Sequence, residues 1–210
     1  MTGVQTCALP IYQAAAFRRV RDSLQQSGIA PDYFHTSSTN AIAYGRRDAW
    51  FNMVRAGHAI YGYLSPARGD APPRILQVKP ALEWKAKILM VKDIPEGALV
   101  GYGGTFRAPR PMRIGVLAVG YADGLPHRLS NKGRILADGK PAAILGTVSM
   151  DLTTIDLSHT QRLKPGDEVT ILGQEGEARL DAQQIAKLAG TISYNILCGI
   201  GARVRRVYVD

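Results

Sequence analysis

The sequence predicts an α/β segment with parallel strands, followed by a mostly-β domain built as a barrel or a sandwich. Three observations carry this. Helix-period and strand-like runs alternate up to about residue 60, as in an α/β unit. A stretch rich in proline, glycine and small residues, SPARGDAPP at 65–73, then interrupts the pattern as a linker. Beyond it, short apolar runs separated by turn residues dominate, with one helical interruption.

Residues 13–27 place Phe17, Val20 and Leu24 at helical spacing, with arginines on the other faces and Gly28 as a stop. After the Pro31-Asp32 turn, residues 33–35 read as a short strand. The hydroxyl-rich TSSTN at 36–40 reads as the cap of a second short helix running through Arg47. A second strand is expected over 51–57, ending in Gly57. In the later part, Leu82, Trp84, Ala86, Ile88 and Met90 alternate with Glu83, Lys85 and Lys87, the pattern of a half-buried strand with those apolar residues inward, ended by Pro95-Glu96-Gly97. Residues 114–119 are apolar on both faces. Asp138-Gly139 between 134–137 and 142–145 is a hairpin signal, and Lys164-Pro165-Gly166-Asp167 turns into a strand at 169–172. One helix is expected at 181–189, with Asp181 as N-cap and Ile185 and Leu188 facing inward.

With 210 residues, 46% hydrophobic and 20% charged, the chain has the composition of a globular protein that can bury a sizeable core. No run approaches the roughly 18 apolar residues of a membrane span, so no membrane partner is expected. Cys7 and Cys198 are far apart and form no C-x-x-C spacing, which fits a reducing compartment and a cytoplasmic location. The formal charge of +9 raises nucleic acid as a partner. The arginines are scattered, however, and no interleaved aromatic and basic signature occurs, so the reading is a solvated basic surface with room for a small anionic ligand. The opening MTGVQTCALPI has neither a basic n-region nor an adequate apolar h-region. It is therefore not a signal peptide; it resembles a translated sequencing-adapter remnant, and residues 1–11 are set aside as a non-native leader.

Five short stretches are candidates for chemistry. In LVGYGGTF, at 99–106, Tyr102 sits among three glycines and is expected on an exposed turn, either as a functional group or as a ring capping a sheet edge. The TSSTN segment at a helix start offers donors to an anion such as phosphate, or is an ordinary N-cap. In MVRAGH, Arg55 stands at the C-terminal end of an expected parallel strand, where α/β barrels carry their sites, and the amides of Gly57 and His58 follow. A surface ion pair is the alternative for Arg55. GYADG ends a buried strand in Tyr121 and a tight turn, and GTVSMD carries Met150, which by default belongs to the core.

Taken in order, HTSSTNA, FNMVRAGHAIYGY, VGYGGTF, VGYADG, GTVSMD and GARVRRVYV resemble the C-terminal half of bacterial alanine racemase, from about residue 13 to the last residue. The resemblance implies a (β/α)8 barrel holding pyridoxal phosphate, followed by a β domain. Residues 12–76 then form the C-terminal remnant of the barrel and 77–210 the β domain. It also implies interconversion of L-alanine and D-alanine by two-base α-proton transfer, supplying D-alanine for cell-wall peptidoglycan, in a head-to-tail homodimer. Tyr102 matches the family's catalytic tyrosine, which works from one face of the cofactor-bound amino acid, reaching the neighbouring subunit's cofactor, while a lysine works from the other face. Arg55 matches the arginine facing the pyridine nitrogen, which an always-charged guanidinium keeps unprotonated. Gly57 and His58 match the backbone amides at the phosphate. Met150 matches the residue whose main chain meets the substrate carboxylate, and Tyr121 lines the entrance. The family's H-x-A-N-S-A is replaced here by HTSSTNA, one residue longer up to Arg55. Asn40 falls at the serine's place, while Ser38 and Thr39 are alternative sources of the hydroxyl.

The chemistry sets its own requirements. Removing an α-proton needs an electron sink, which the cofactor provides, and inversion needs acid–base groups on opposite faces. A phenol, with an ordinary pKa of about 10, is a poor base at neutral pH unless positive charge stabilises the phenolate. All eight lysines lie at or after Lys79, whereas the family's Schiff-base lysine lies early in the barrel. The 210 residues are accordingly expected to be an incomplete, inactive piece of the enzyme. Competing readings are a racemase of serine or another amino acid, a pyridoxal-phosphate amino-acid decarboxylase of the same architecture, and a noncatalytic β-domain interaction module. The decarboxylase would be signalled by a cysteine-containing specificity segment, which does not occur here.

Overall fold

The structure, a computed structural model, describes residues 8–66 and 72–209, and the chain divides into two compact units between Ala81 and Leu82. Cys7, the first part of the leader and residues 67–71 of the linker stretch lie outside the described residues. In the first unit, α1 (Ala8–Gln26) covers most of the expected helix and begins inside the segment set aside as a leader. Its Phe17 meets Phe34 edge-on at 6.4 Å and Phe51 at 5.0 Å between ring centroids. The second helix, α2 (Thr39–Ala43), stops short of Arg47 because Gly45, at φ +66°, turns the chain away. A 3-10 turn at Arg47–Ala49 follows, and then α3 (Gly57–Ile60).

The two strands expected at 33–35 and 51–57 do not form. A single parallel bridge between Ser38 and Arg55 stands in their place. Phe51, at φ +54°, takes the chain out of the extended region at the first residue of the second expected strand. Two parallel segments with no further strand beside them among the described residues also have too few partners to sustain a ladder.

The second unit contains β1 (Trp84–Ile94), β2 (Leu99–Val100), β3 (Phe106–Arg107), β4 (Met112–Leu117), β5 (Arg134–Ala137), β6 (Lys140–Leu145), β7 (Thr153–Asp156), β8 (Glu168–Glu175) and β9 (Ala178–Leu180), then α4 (Ala182–Ala189) and α5 (Ser193–Gly199). Antiparallel pairing runs β1-β4-β7-β6-β5-β8 and returns from β8 to β1. The sheet is therefore a closed six-stranded barrel rather than a sandwich, with β9 added on β8. β1 makes the closure: Trp84 to Lys87 pair with β8, and Ile88 to Ile94 pair with β4.

A bulge between Ile88 and Met90 lets one strand serve both neighbours. It also shifts the alternation, because side chains change face at every residue. Met90, expected inward, is 49% exposed, and Leu89 beside it is 54% exposed. Ahead of the bulge the expected parity holds, with Trp84, Ala86 and Ile88 buried. They join Leu117, Ile135, Leu136, Ile144, Ile155 and Leu172 in the barrel core.

The Asp138-Gly139 turn joins β5 and β6 with φ of +53° and +72°, the two positive angles that a tight hairpin with native twist requires. Asp181 caps α4, accepting from the amides of Gln183 and Gln184 while the Gln184 side chain accepts from the Asp181 amide. β2, β3, β7, β9 and α5 were not expected; runs of two to seven residues carry too little periodicity to announce themselves. Among the described residues no helix is long and apolar enough to cross a membrane.

Candidate active site

Tyr102 lies at the tip of a hairpin whose arms are β2 and β3, paired Leu99 to Arg107 and Val100 to Phe106. The arms are rooted in the core: Val100 is buried with Ile94, Ala108, Met112, Ile114 and Leu145, and Phe106 packs on that cluster. The tip is a 3-10 turn in which Gly101, Gly103 and Gly104 adopt φ of +77°, +71° and +57°. All three glycines are thus required by the backbone path. Tyr102 itself is 77% exposed, at odds with a ring that caps a sheet edge.

The loop between β6 and β7, residues 146–151, joins this tip to the second tyrosine. On one side Gly101 and Gly146 are in backbone contact, so close that a Cβ at Gly101 would stand 2.7 Å from the Thr147 nitrogen. The Thr147 hydroxyl donates to the Tyr102 carbonyl at 3.1 Å. On the other side, the amides of Tyr121 and Ala122 donate to the carbonyls of Ser149 and Met150 at 2.9 and 3.0 Å. Tyr121 opens a 3-10 turn, and its ring meets that of His127 edge-on at 6.2 Å. Met150 is 52% exposed rather than in the core, because it sits at the apex of this loop, beyond the barrel strands. Tyr102, Met150 and Tyr121 therefore belong to three loops in direct contact.

One part of this arrangement is invisible in the sequence. Asp123, almost buried, accepts from the Gly120 amide at 2.9 Å and pairs with Arg203 at 3.1 Å. Arg203 also bonds Asp151 at 2.7 Å, which, with the charge of Asp123, raises its pKa. The guanidinium therefore ties the C-terminal segment to the two loops carrying Tyr121 and Met150. GYADG, SMD and GARVRR each contain one member of the triad, but nothing in their spacing says that they meet.

The remaining candidates are in the first unit. The bridge to Arg55 puts Ser38, exposed at the start of α2, beside that arginine, with the Arg55 amide donating to the Ser37 carbonyl at 3.0 Å. Thr39 is buried, and its hydroxyl oxygen accepts from the Ala59 amide at 3.3 Å, so that oxygen serves to hold α3. The Asn40 side-chain oxygen is buried without a hydrogen-bond partner. Gly57 and His58 begin α3. Space is open at Gly57, since a Cβ there would meet nothing within 4 Å.

The His58 ring is 3% exposed and stacks on Tyr63 at 5.5 Å. Burial lowers its pKa below the ordinary 6.5. In the window between that lowered value and 6.5 the unfolded chain binds more protons than the folded one, so stability rises with pH there. The melting temperature of the chain is expected to fall as pH drops below about 6.5, and His58→Phe is expected to flatten that slope. Equal slopes for the two proteins would remove His58 as its source.

The family described as "Alanine racemase, C-terminal domain" matches residues 81–208, and "Alanine racemase, N-terminal domain" matches residues 7–65. The chain belongs to the alanine racemase family. Alanine racemase of Carboxydothermus hydrogenoformans is 40% identical over 197 residues, covering 94% of this chain and 53% of that protein. The crystal structure of alanine racemase from Bacillus anthracis with bound L-Ala-P is similar with a TM-score of 0.88 at 30% identity, over 99% of this chain and 52% of the other. Alanine racemase from Bartonella henselae with covalently bound pyridoxal phosphate is similar with a TM-score of 0.80 at 27% identity, over 98% of this chain and 53% of the other. The chain thus spans about half the length of the racemases it matches.

Proposed function

We propose that this chain is the C-terminal part of a pyridoxal-phosphate-dependent alanine racemase, and that Tyr102 is one of its two acid–base groups. The observation that carries the reading is the 146–151 loop, which holds the Tyr102 turn on one flank and the Tyr121 turn on the other. A proton-transferring group, an entrance residue and a main-chain contact for a carboxylate at Met150 are thereby built on one framework.

The first unit fits two ends of the cofactor. Ser38 beside Arg55 and the open space at Gly57 suit a phosphate and a ring nitrogen. Arg55 would face the ring nitrogen, and Gly57 and His58 would hold the phosphate through their amides. Ser38 would supply the hydroxyl, since it is exposed whereas Thr39 is buried, with Asn40 beside it in α2. Bound pyridoxal phosphate supplies the electron sink that makes an amino acid's α-proton acidic. Tyr102 exchanges that proton on one face. Met150 orients the substrate carboxylate through its main chain, and Tyr121 narrows the entrance. The group on the opposite face is a lysine from the early part of the barrel, since barrel residues 12–76 contain none. An exposed tyrosine on a hairpin tip suits reach into a neighbouring subunit, and a head-to-tail homodimer in the cytoplasm is the proposed working form.

The test is D-alanine formation from L-alanine by the complete enzyme, meaning these residues joined to a full barrel half, with carbon dioxide release followed in parallel. D-alanine without carbon dioxide is the expected result. Carbon dioxide release, or greater activity on serine, would overturn the substrate and reaction proposed.

A further inference from the structure

We propose that Asn131 is the positioning residue for Tyr102, acting through a one-way chain of hydrogen bonds that ends on the Tyr102 carbonyl. This rests on Tyr102 being an acid–base group. The tip that bears Tyr102 gains no side-chain packing from its three glycines, so polar contacts must fix its place.

Asn131 lies in the segment between the Tyr121 turn and β5, at φ +55°, a left-handed conformation that asparagine tolerates. It grips Gly146 twice: its amide donates to the Gly146 carbonyl at 3.2 Å, and its side-chain oxygen accepts from the Gly146 amide at 2.6 Å. An N–H can be met only by the carboxamide oxygen, so the nitrogen is fixed on the other side. There Nδ2 donates to the Thr105 carbonyl at 3.3 Å and to the Thr105 hydroxyl at 3.1 Å. The Thr105 and Thr147 hydroxyls are 3.2 Å apart, and Thr147 reaches the Tyr102 carbonyl at 3.1 Å.

Each hydroxyl has one proton to give. Thr147 spends its own on Tyr102, so Thr105 must donate to Thr147, and Thr105 in turn accepts from Asn131. The direction is set throughout: Asn131 to Thr105 to Thr147 to the carbonyl of Tyr102. Both anchors of the tip, the Gly146 backbone and the Thr105 side chain, meet at one carboxamide.

An aspartate in place of Asn131 would be nearly isosteric and would tolerate the same φ, but a carboxylate only accepts. Thr105 would then turn its proton toward that carboxylate, Thr147 would turn toward Thr105, and the Tyr102 carbonyl would lose its donor. In the complete enzyme, Asn131→Asp is expected to lower kcat about 10- to 100-fold, the scale of a small misplacement of a reacting group, with KM for alanine unchanged. Thr147→Val, which cuts the same chain, is expected to lower kcat similarly, and Thr147→Ser to recover most of that loss. The double variant Asn131→Asp/Thr147→Val should be no worse than either single one, as for two breaks in one chain. Asn131→Gly keeps the backbone conformation and serves if the aspartate variant folds poorly. The primary isotope effect with α-deuterated alanine should rise for the enantiomer whose α-hydrogen faces Tyr102 and stay put for the other. Wild-type kcat in Asn131→Asp, additive losses in the double variant, or isotope effects unchanged for both enantiomers would overturn the proposal. Full activity in Tyr102→Phe would instead overturn the role of Tyr102 on which the proposal rests.

Discussion

Replacing Tyr102 by phenylalanine in the complete enzyme is expected to lower kcat/KM for alanine about 100- to 10,000-fold in both directions, the usual contribution of a positioned acid–base group. The change removes one oxygen from a ring that is 77% exposed on a hairpin tip. Exposed substitutions of this kind stay within about 0.5 kcal/mol, so the melting temperature of the 210-residue chain on its own should not move. Loss of activity without loss of fold separates a chemical role from a structural one. A second readout separates the two faces. With the phenol gone, the opposite base still removes the α-proton of one enantiomer and returns it on the same side. In deuterium oxide that enantiomer should gain deuterium without inverting, while the other gains none. Deuterium entering both enantiomers at equal rates would show that Tyr102 is not one of the two bases.

How much of this could be seen in the sequence depended on how local its physical cause was. The Asp138-Gly139 hairpin and the Asp181 cap are decided by a few adjacent residues, and both formed where expected. The inward parity of Trp84, Ala86 and Ile88 was equally local, but the bulge after Ile88 arises because β1 must change partners from β8 to β4. A run of alternating residues contains no trace of that demand, so Met90 departs from its expected face. The strands at 33–35 and 51–57 failed for the same kind of reason. Their apolar residues suit a parallel sheet, but a parallel sheet is made by neighbours, and only the bridge from Ser38 to Arg55 is present.

The site divides along the same line. Three glycines around Tyr102 announced an exposed turn, because each glycine answers a backbone requirement at its own position. Met150 reads as core because methionine usually packs, whereas its exposure comes from the loop on which it rides. Arg203 meeting Asp123 and Asp151, and Asn131 meeting Thr105 and Gly146, join segments far apart in sequence. No spacing rule reaches across such distances. The ordered motifs singled out these loops one by one, and the barrel brings them together.

The contact between those loops makes Gly120 a position that tolerates no side chain. Its backbone, at φ −150° and ψ −164°, is one that any residue adopts, so the requirement for glycine is not conformational. It is spatial: a Cβ at Gly120 would stand 2.3 Å from the carbonyl oxygens of both Ser149 and Met150. Those atoms are main chain and cannot swing aside as the end of a long side chain would. For alanine to fit, the two loops must part, and the bonds from Tyr121 to Ser149 and from Ala122 to Met150 go with them. Overpacking of this kind costs about 1–3 kcal/mol, and each lost hydrogen bond adds about 1 kcal/mol. Gly120→Ala is therefore expected to destabilise the barrel unit by roughly 3–5 kcal/mol, a large share of a typical domain's stability. It should also lower kcat/KM more than about tenfold, because Met150 and Tyr121 are displaced together. Gly199→Ala is the matched control. It makes the same chemical change at the end of α5, where a Cβ finds its nearest neighbour at 3.9 Å. In guanidinium unfolding, followed by the buried Trp84, the midpoint should drop sharply for Gly120→Ala and hold or rise for Gly199→Ala. Equal midpoints for the two variants would mean that the loops yield at no cost, and that close approach at Gly120 does not hold the Tyr121 and Met150 loops together.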